Sequence, residues 1–188
     1  MTVNYTNRRG QTFYLHQSST KTGKPKYFFS RNNHGELADT VPQGFEIYEN
    51  PNAQVFLRRK QPKLITDEEL ALVEEGLKRF TRQERCRVDV RKAIITVFTL
   101  DQNMEEIGEV MSLLGGLKDR EVFDRIASYT PMLQFVLTNE KQRTFITRRY
   151  CFLGSVDDWI EIGRPDRLTT LVKKFVRHLG QDSFYDLY

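Results

Sequence analysis

Residues 12–31 read TFYLHQSSTKTGKPKYFFSR, and this stretch decides how the first third of the chain is interpreted. Two short aromatic segments, residues 12–16 and 27–29, flank a polar loop that contains Gly23. Aromatic and β-branched residues favour strands, whereas glycine and small polar residues favour turns. The stretch therefore predicts two neighbouring β-strands joined by a loop.

Two more strands are predicted downstream, at residues 45–48 and 55–57, between turns rich in asparagine, glycine and proline. Four short strands at this spacing predict an antiparallel meander, so residues 1–63 are interpreted as a small β module. The module contains ten Lys and Arg against four Asp and Glu, a net charge of +6, whereas the other 125 residues contain 19 against 21. Such a charge split is informative about partners rather than about fold.

The sequence pattern changes after residue 63. Thr66 and Glu69 form a capping box, and Leu70, Val73 and Leu77 follow at helical spacing, which predicts a helix. The remaining predicted elements are a hairpin over 85–99, helices over 104–114 and 119–128, strands over 132–138, 143–152 and 156–162, and a last helix that starts at 164.

This order of elements lacks the strict alternation of a doubly wound fold. We therefore predict an α+β protein in two parts. A small antiparallel β-sheet module, residues 1–63, precedes an α+β domain, residues 64–188, which has a mainly antiparallel sheet and four helices.

No apolar run approaches the roughly 18 residues that a membrane span requires. The first residues, MTVNY, also lack the apolar stretch of a signal peptide. We therefore expect a cytoplasmic protein with no membrane partner. Cys86 and Cys151 lie in apolar stretches, which favours reduced, buried thiols.

Catalytic signatures are absent from the sequence. It contains no glycine-rich phosphate loop and no Gly-x-Ser-x-Gly nucleophile motif, and its three histidines are scattered. His16 or His34 could serve a metal-free ribonuclease, but nothing in the sequence fixes their geometry. We expect no catalytic site, metal or cofactor, and a non-enzymatic protein is favoured.

One acidic cluster, residues 157–161, supports an alternative of a different class. On a strand, Asp157 and Glu161 would share one face with Trp159, and metal-dependent phosphodiester hydrolases need carboxylates that converge on a divalent ion. No lysine follows Glu161, however, so exposed carboxylates at the start of a strand are the simpler interpretation.

The β module carries the leading hypothesis, a nucleic-acid-associated binding protein. Lysine and arginine neutralise phosphates, and single-stranded bases stack on exposed aromatic rings. The module interleaves both residue types. The candidate nucleic-acid-binding residues are Lys24, Lys26, Tyr27, Arg31, Arg58, Arg59 and Lys60.

A purely structural interpretation competes with this hypothesis. A sheet of this size needs an apolar core, and its lysines can simply keep exposed strand edges from aggregating. The residues expected in that core are Phe13, Leu15, Phe28, Ile47, Val55 and Leu57. The basic residues of the last helix, Lys173, Lys174, Arg177 and His178, complement the helix dipole.

The segment from Tyr14 through Gly23 and Lys24 to Phe28 resembles the three-stranded arm-binding domain of phage-type integrases. No recombinase catalytic set follows it, so no function is carried over from this resemblance. A further alternative is a protein-interaction or assembly module, with a protein partner or a second copy bound through the aromatic sheet and the apolar segment 184–188.

Overall fold

The computed structural model describes residues 2–83, 85–101, 126–152 and 157–188. The described chain divides into two compact units. The first unit contains residues 2–60 together with residues 126 and 127. The second unit contains residues 61–101 and 128–188 in its described part.

The first unit consists of two small antiparallel sheets. One has three strands in the order β1-β2-β3, and the other pairs β4 with β5. The strands are β1 (Asn4–Thr6), β2 (Thr12–Ser19), β3 (Pro25–Ser30), β4 (Phe45–Glu49) and β5 (Val55–Arg59). The prediction of strands in these segments is confirmed, but the prediction of a single four-stranded meander is wrong.

The additional strand, β1, pairs with β2 through a turn organised by Asn7. The buried Asn7 side chain accepts hydrogen bonds from the backbone N–H groups of Arg9 (3.0 Å) and Gln11 (2.9 Å). An asparagine that bonds its own chain two residues on is a common turn device. Three residues are too few to show an alternating pattern, which is why the sequence did not predict this strand.

Glu49 links the two sheets of the first unit. Its carboxylate accepts hydrogen bonds from the Tyr5 hydroxyl (2.9 Å), from the Arg8 backbone N–H (3.1 Å) and from Arg8 Nε (2.5 Å). Burial alone raises the pKa of Glu49, but these hydrogen bonds outweigh it and hold the pKa below its ordinary value of 4.5.

Glu49→Gln is expected to flatten the acid limb of the stability profile. Because the pKa of the folded carboxyl lies below the unfolded value, its stabilising effect is present at neutral pH and disappears as the pH falls through the folded-state pKa. Urea midpoints of wild type and Glu49→Gln should therefore differ at pH 7 and converge in acid. The exposed Glu36→Gln is the control, and an equal difference at both pH values would contradict the prediction.

The second unit is a five-stranded antiparallel sheet in the order β10-β9-β8-β7-β6, with helices packed on it. The elements are α1 (Asp67–Phe80), β6 (Cys86–Arg91), β7 (Ile94–Leu100), β8 (Tyr129–Asn139), β9 (Thr144–Phe152), β10 (Asp157–Arg167), α2 (Leu168–Phe175) and two 3-10 turns (Val176–His178 and Asp182–Phe184).

Alternation along the strands creates the core of this unit. Residues on one sheet face, such as Ile95, Leu133 and Phe135, are fully buried against Val73 of α1 and Phe175 of α2. The other core residues include Val97, Leu137, Phe145, Ile162, Leu77, Leu168, Leu171 and Val172. The capping box of α1 is confirmed: Thr66 Oγ1 accepts from the Glu69 N–H, and the Thr66 N–H donates to Glu69 Oε2.

The two helices approach each other closely at Gly76. A Cβ atom added to this buried glycine would lie 2.2 Å from Val172 Cγ1, far inside van der Waals contact. The crossing therefore depends on the absence of a side chain at position 76.

The predicted α+β fold with four helices is wrong. The described chain is mainly β, with ten strands in three sheets and two α-helices. The last helix begins at Leu168, not at residue 164, because β10 continues through a bulge between Ile162 and Asp166. The helices predicted over 104–114 and 119–128 fall almost wholly within residues 102–125, outside the described part.

Neither described helix has the length to cross a membrane. α1 has 14 residues and α2 has eight, against about 20 for a transmembrane helix.

Candidate nucleic-acid interface

The β2–β3 hairpin has two chemically different faces. The register pairs Leu15 with Phe29, so fully buried Leu15 shares a face with half-buried Tyr27 and Phe29. Lys26 and Phe28 alternate with them and lie on the opposite face. Tyr27 and Lys26, both candidate residues, therefore cannot contact a ligand on the same face.

Phe28 is the exposed aromatic ring of this hairpin. It leaves 42% of its surface accessible, although the sequence placed it in the core. The His16 ring stacks on it at 5.1 Å between centroids, with an angle of 10° between the ring planes, and Lys26 Nζ lies 5.8 Å from its centroid. His16 is itself held by a 2.8 Å hydrogen bond from Nε2 to the Asn32 carbonyl. The Phe28 ring is thus held in place by His16 and remains partly open to solvent.

The β2–β3 hairpin and Arg31 beside it carry only positive charges, while the exposed Glu36 lies next to β2, where its carbonyl accepts from the Gln17 N–H (3.0 Å). The chain contains no Asp or Glu before Glu36, whereas residues 1–35 contain six Lys and Arg. Lys21, Lys24, Lys26 and Arg31 are exposed on the hairpin and its flanks, and none of them has an ion-pair partner within the described residues. These four cations give the hairpin a local positive charge.

The β2–β3 turn keeps two of these lysines in solvent. The Thr20 N–H donates to the Lys24 carbonyl (2.8 Å), and the Lys24 N–H donates to Thr20 Oγ1 (3.1 Å). Gly23 has a φ of +76°, a conformation that glycine adopts without strain. The turn is closed by its own bonds, so the side chains of Lys21 and Lys24 point outward.

The second basic group, Arg58, Arg59 and Lys60, is arranged differently. Arg58 Nε donates to Glu46 Oε1 (2.8 Å), and its guanidinium lies 3.9 Å from the centroid of Tyr48. Its charge is therefore largely compensated inside the unit. Arg59 and Lys60 are exposed at the end of β5, a strand that contacts β3.

Of the seven candidate residues, the structure groups Lys24, Lys26 and Arg31 on the hairpin. It places Tyr27 on the opposite face and ties Arg58 to Glu46. Phe28 was predicted in the core, whereas the structure leaves it exposed beside Lys26. Strict alternation along β3 already placed these two residues on one face.

The acidic cluster is spread along β10. Asp157 and Glu161 are four residues apart on β10, which separates their backbones by about 13 Å. Glu161 also pairs across the strand with Arg148, whose Nη2 lies 2.8 Å from Glu161 Oε1. Within the described ranges, no group of three or more His, Cys, Asp or Glu could hold a metal ion. The neighbouring Trp159 packs edge-on against Tyr150, with ring centroids 5.2 Å apart.

Segment 184–188 packs against its own unit. The buried Arg149 donates from Nε to the Leu187 carbonyl and from Nη2 to the Tyr185 carbonyl, both at 2.9 Å, and Phe184 is only 1% exposed. Tyr188 remains 88% exposed. An assembly surface at this segment would therefore consist of one or two tyrosine rings, not of the whole segment.

No protein-family model matches this chain, and neither the curated proteins nor the solved structures contain a significant match to it.

Proposed function

We propose that this protein binds single-stranded nucleic acid, without catalysing a reaction on it, through the Lys26–Phe28 face of the β2–β3 hairpin. The observation that carries the proposal is a partly exposed aromatic ring beside a lysine, in a stretch of 35 residues that lacks any carboxylate.

The two components supply complementary parts of such binding. The lysines and Arg31 neutralise phosphates, which provides affinity without sequence preference. The accessible part of the Phe28 ring offers a stacking surface for a base, and stacking requires a base that is not paired in a duplex. We therefore assign a single strand, RNA or DNA, as the ligand.

Protection of a strand edge explains only part of the arrangement. β3 is an edge strand of its sheet, and edge lysines discourage pairing with other chains. Edge protection does not require an exposed phenylalanine, which on its own would favour association. The exposed ring is therefore the feature that favours ligand binding over a purely structural role.

Phe28→Ala is expected to weaken binding of a labelled single-stranded oligonucleotide by about 5- to 150-fold, because base–aromatic stacking contributes about 1–3 kcal/mol. Fluorescence anisotropy titration at fixed salt measures the change. The matched control is Phe56→Ala, which removes an equally exposed phenylalanine (45%) from β5. Equal losses in the two variants, or no binding by the wild type, would contradict the proposal.

A further inference from the structure

The polar side of α2 and of the 3-10 turn after it forms an open groove of about 730 Å³ in the second unit. Its lining includes four cations and two groups that can donate hydrogen bonds. They are Arg167, Lys173, Lys174, Arg177, Thr170 and His178.

The groove results from the amphipathic pattern of this segment. Leu168, Leu171, Val172 and Phe175 are 1–4% exposed and face the core. The residues between them must face solvent, since helical spacing places apolar and polar residues on opposite sides. The cations therefore lie on the solvent side of the helix, with Thr169 and Thr170 between Arg167 and Lys173.

The helix dipole does not account for all of these cations. It favours cations in the last turn, where Lys173 and Lys174 lie. Arg167, however, is the residue at the N-cap, where the dipole disfavours a positive charge and no side-chain cap is formed. No carboxylate lines the groove, so these cations have no internal counter-charge among the described residues.

We infer that this groove is a second nucleic-acid contact and that it binds the phosphodiester backbone. This inference rests on the proposed function and adds a surface to it. A rise of 1.5 Å per residue separates Arg167 from Arg177 by about 15 Å. A single strand whose nucleotides are spaced by about 3.4 Å places about four phosphates along that length. No phenylalanine, tyrosine or tryptophan lines the groove, so we expect it to contact phosphates and not to stack bases.

A lipid surface fits this groove less well. Helices that lie on membranes insert exposed apolar side chains, but the apolar residues of α2 are buried. The exposed large apolar side chains of the described residues lie elsewhere. They are Phe28, Phe56, Ile126, Phe152, Tyr185 and Tyr188.

The test replaces three groove cations together, as Lys173→Gln, Lys174→Gln and Arg177→Gln. The control triple, Lys78→Gln, Arg82→Gln and Lys141→Gln, removes the same charges from exposed positions of the same unit. Affinity for a labelled mixed-sequence oligonucleotide is measured from about 50 to 200 mM salt, and thermal unfolding verifies that both variants are folded.

The groove triple is expected to reduce the slope of log affinity against log salt by about 2 to 3, because each neutralised phosphate contributes about 0.7–0.9. The control triple should change the slope by less than about 1. Identical slopes in the two triple variants would overturn the groove proposal but would not contradict the hairpin proposal. If the wild-type protein does not bind the oligonucleotide at all, both the groove and the hairpin proposals are wrong. The alternative ligand is a phosphatidylserine vesicle. If the wild type binds such vesicles, and the groove triple abolishes that binding and leaves oligonucleotide binding unchanged, the groove binds lipid headgroups and not nucleic acid.

Discussion

Arg149→Ala is expected to lower the free energy of unfolding by about 3 kcal/mol and to release residues 185–188 from the second unit. The buried guanidinium makes two charge-assisted hydrogen bonds to the carbonyls of Tyr185 and Leu187. Bonds of this kind contribute about 1.5–3 kcal/mol each, and alanine provides no replacement donor for either carbonyl. Urea unfolding measures the loss, and hydrogen exchange at residues 185–188 measures the release.

The neighbouring arginine provides the control. Arg148 points to the opposite sheet face and pairs with exposed Glu161, so Arg148→Ala is expected to cost less than about 1 kcal/mol. If the two substitutions destabilise the protein equally, the assigned role of Arg149 is wrong. The comparison also isolates burial as the decisive variable, since the two residues are adjacent and chemically identical.

Gly76→Ala is the second substitution with a large expected effect. In an isolated helix this change would stabilise by about 1 kcal/mol. Here the added methyl group would meet Val172 Cγ1 at 2.2 Å, and overpacking a core costs about 1–3 kcal/mol or more. We expect a net loss of about 2 kcal/mol, measured by urea unfolding.

A second substitution tests the cause. Combining Gly76→Ala with Val172→Ala removes the clashing methyl groups, so the double variant should be more stable than the sum of the two single losses implies. Ala71→Gly, at an exposed position of α1, measures the difference in helix propensity between alanine and glycine without a packing contribution. Strictly additive losses in the double variant would show that the two helices do not meet through this pair.

The sequence predicted what local chemistry determines. The capping box at Thr66 and Glu69 defined the start of α1 because its two hydrogen bonds span only three residues. Glu69 also pairs with Arg143, whose Nε lies 2.9 Å from Glu69 Oε1, and 74 residues separate these partners. Nothing local indicates such a contact, and the extension of β10 past Gly163 depends likewise on its pairing with β9.

The candidate site illustrates the same limit. Alternation along β3 showed that Lys26 and Phe28 share a face, but it did not show which face is buried. That choice depends on packing within the first unit, where the Tyr5–Glu49 bond joins β1 to the second sheet. Phe28 was therefore assigned to the core and Tyr27 to the site, and the structure places Phe28 outside and Tyr27 on the face of Leu15.

Trp159, which packs edge-on against Tyr150 in the second unit, makes the two units spectroscopically distinguishable. Trp159 is the single tryptophan of the chain and belongs to the sheet of the second unit, whereas the first unit contains tyrosines and no tryptophan. Selective tryptophan excitation therefore follows the melting of one unit without a label. Tyrosine emission reports on both units, because Tyr129, Tyr150, Tyr185 and Tyr188 lie in the second unit, whereas the tryptophan spectrum reports on the second unit alone.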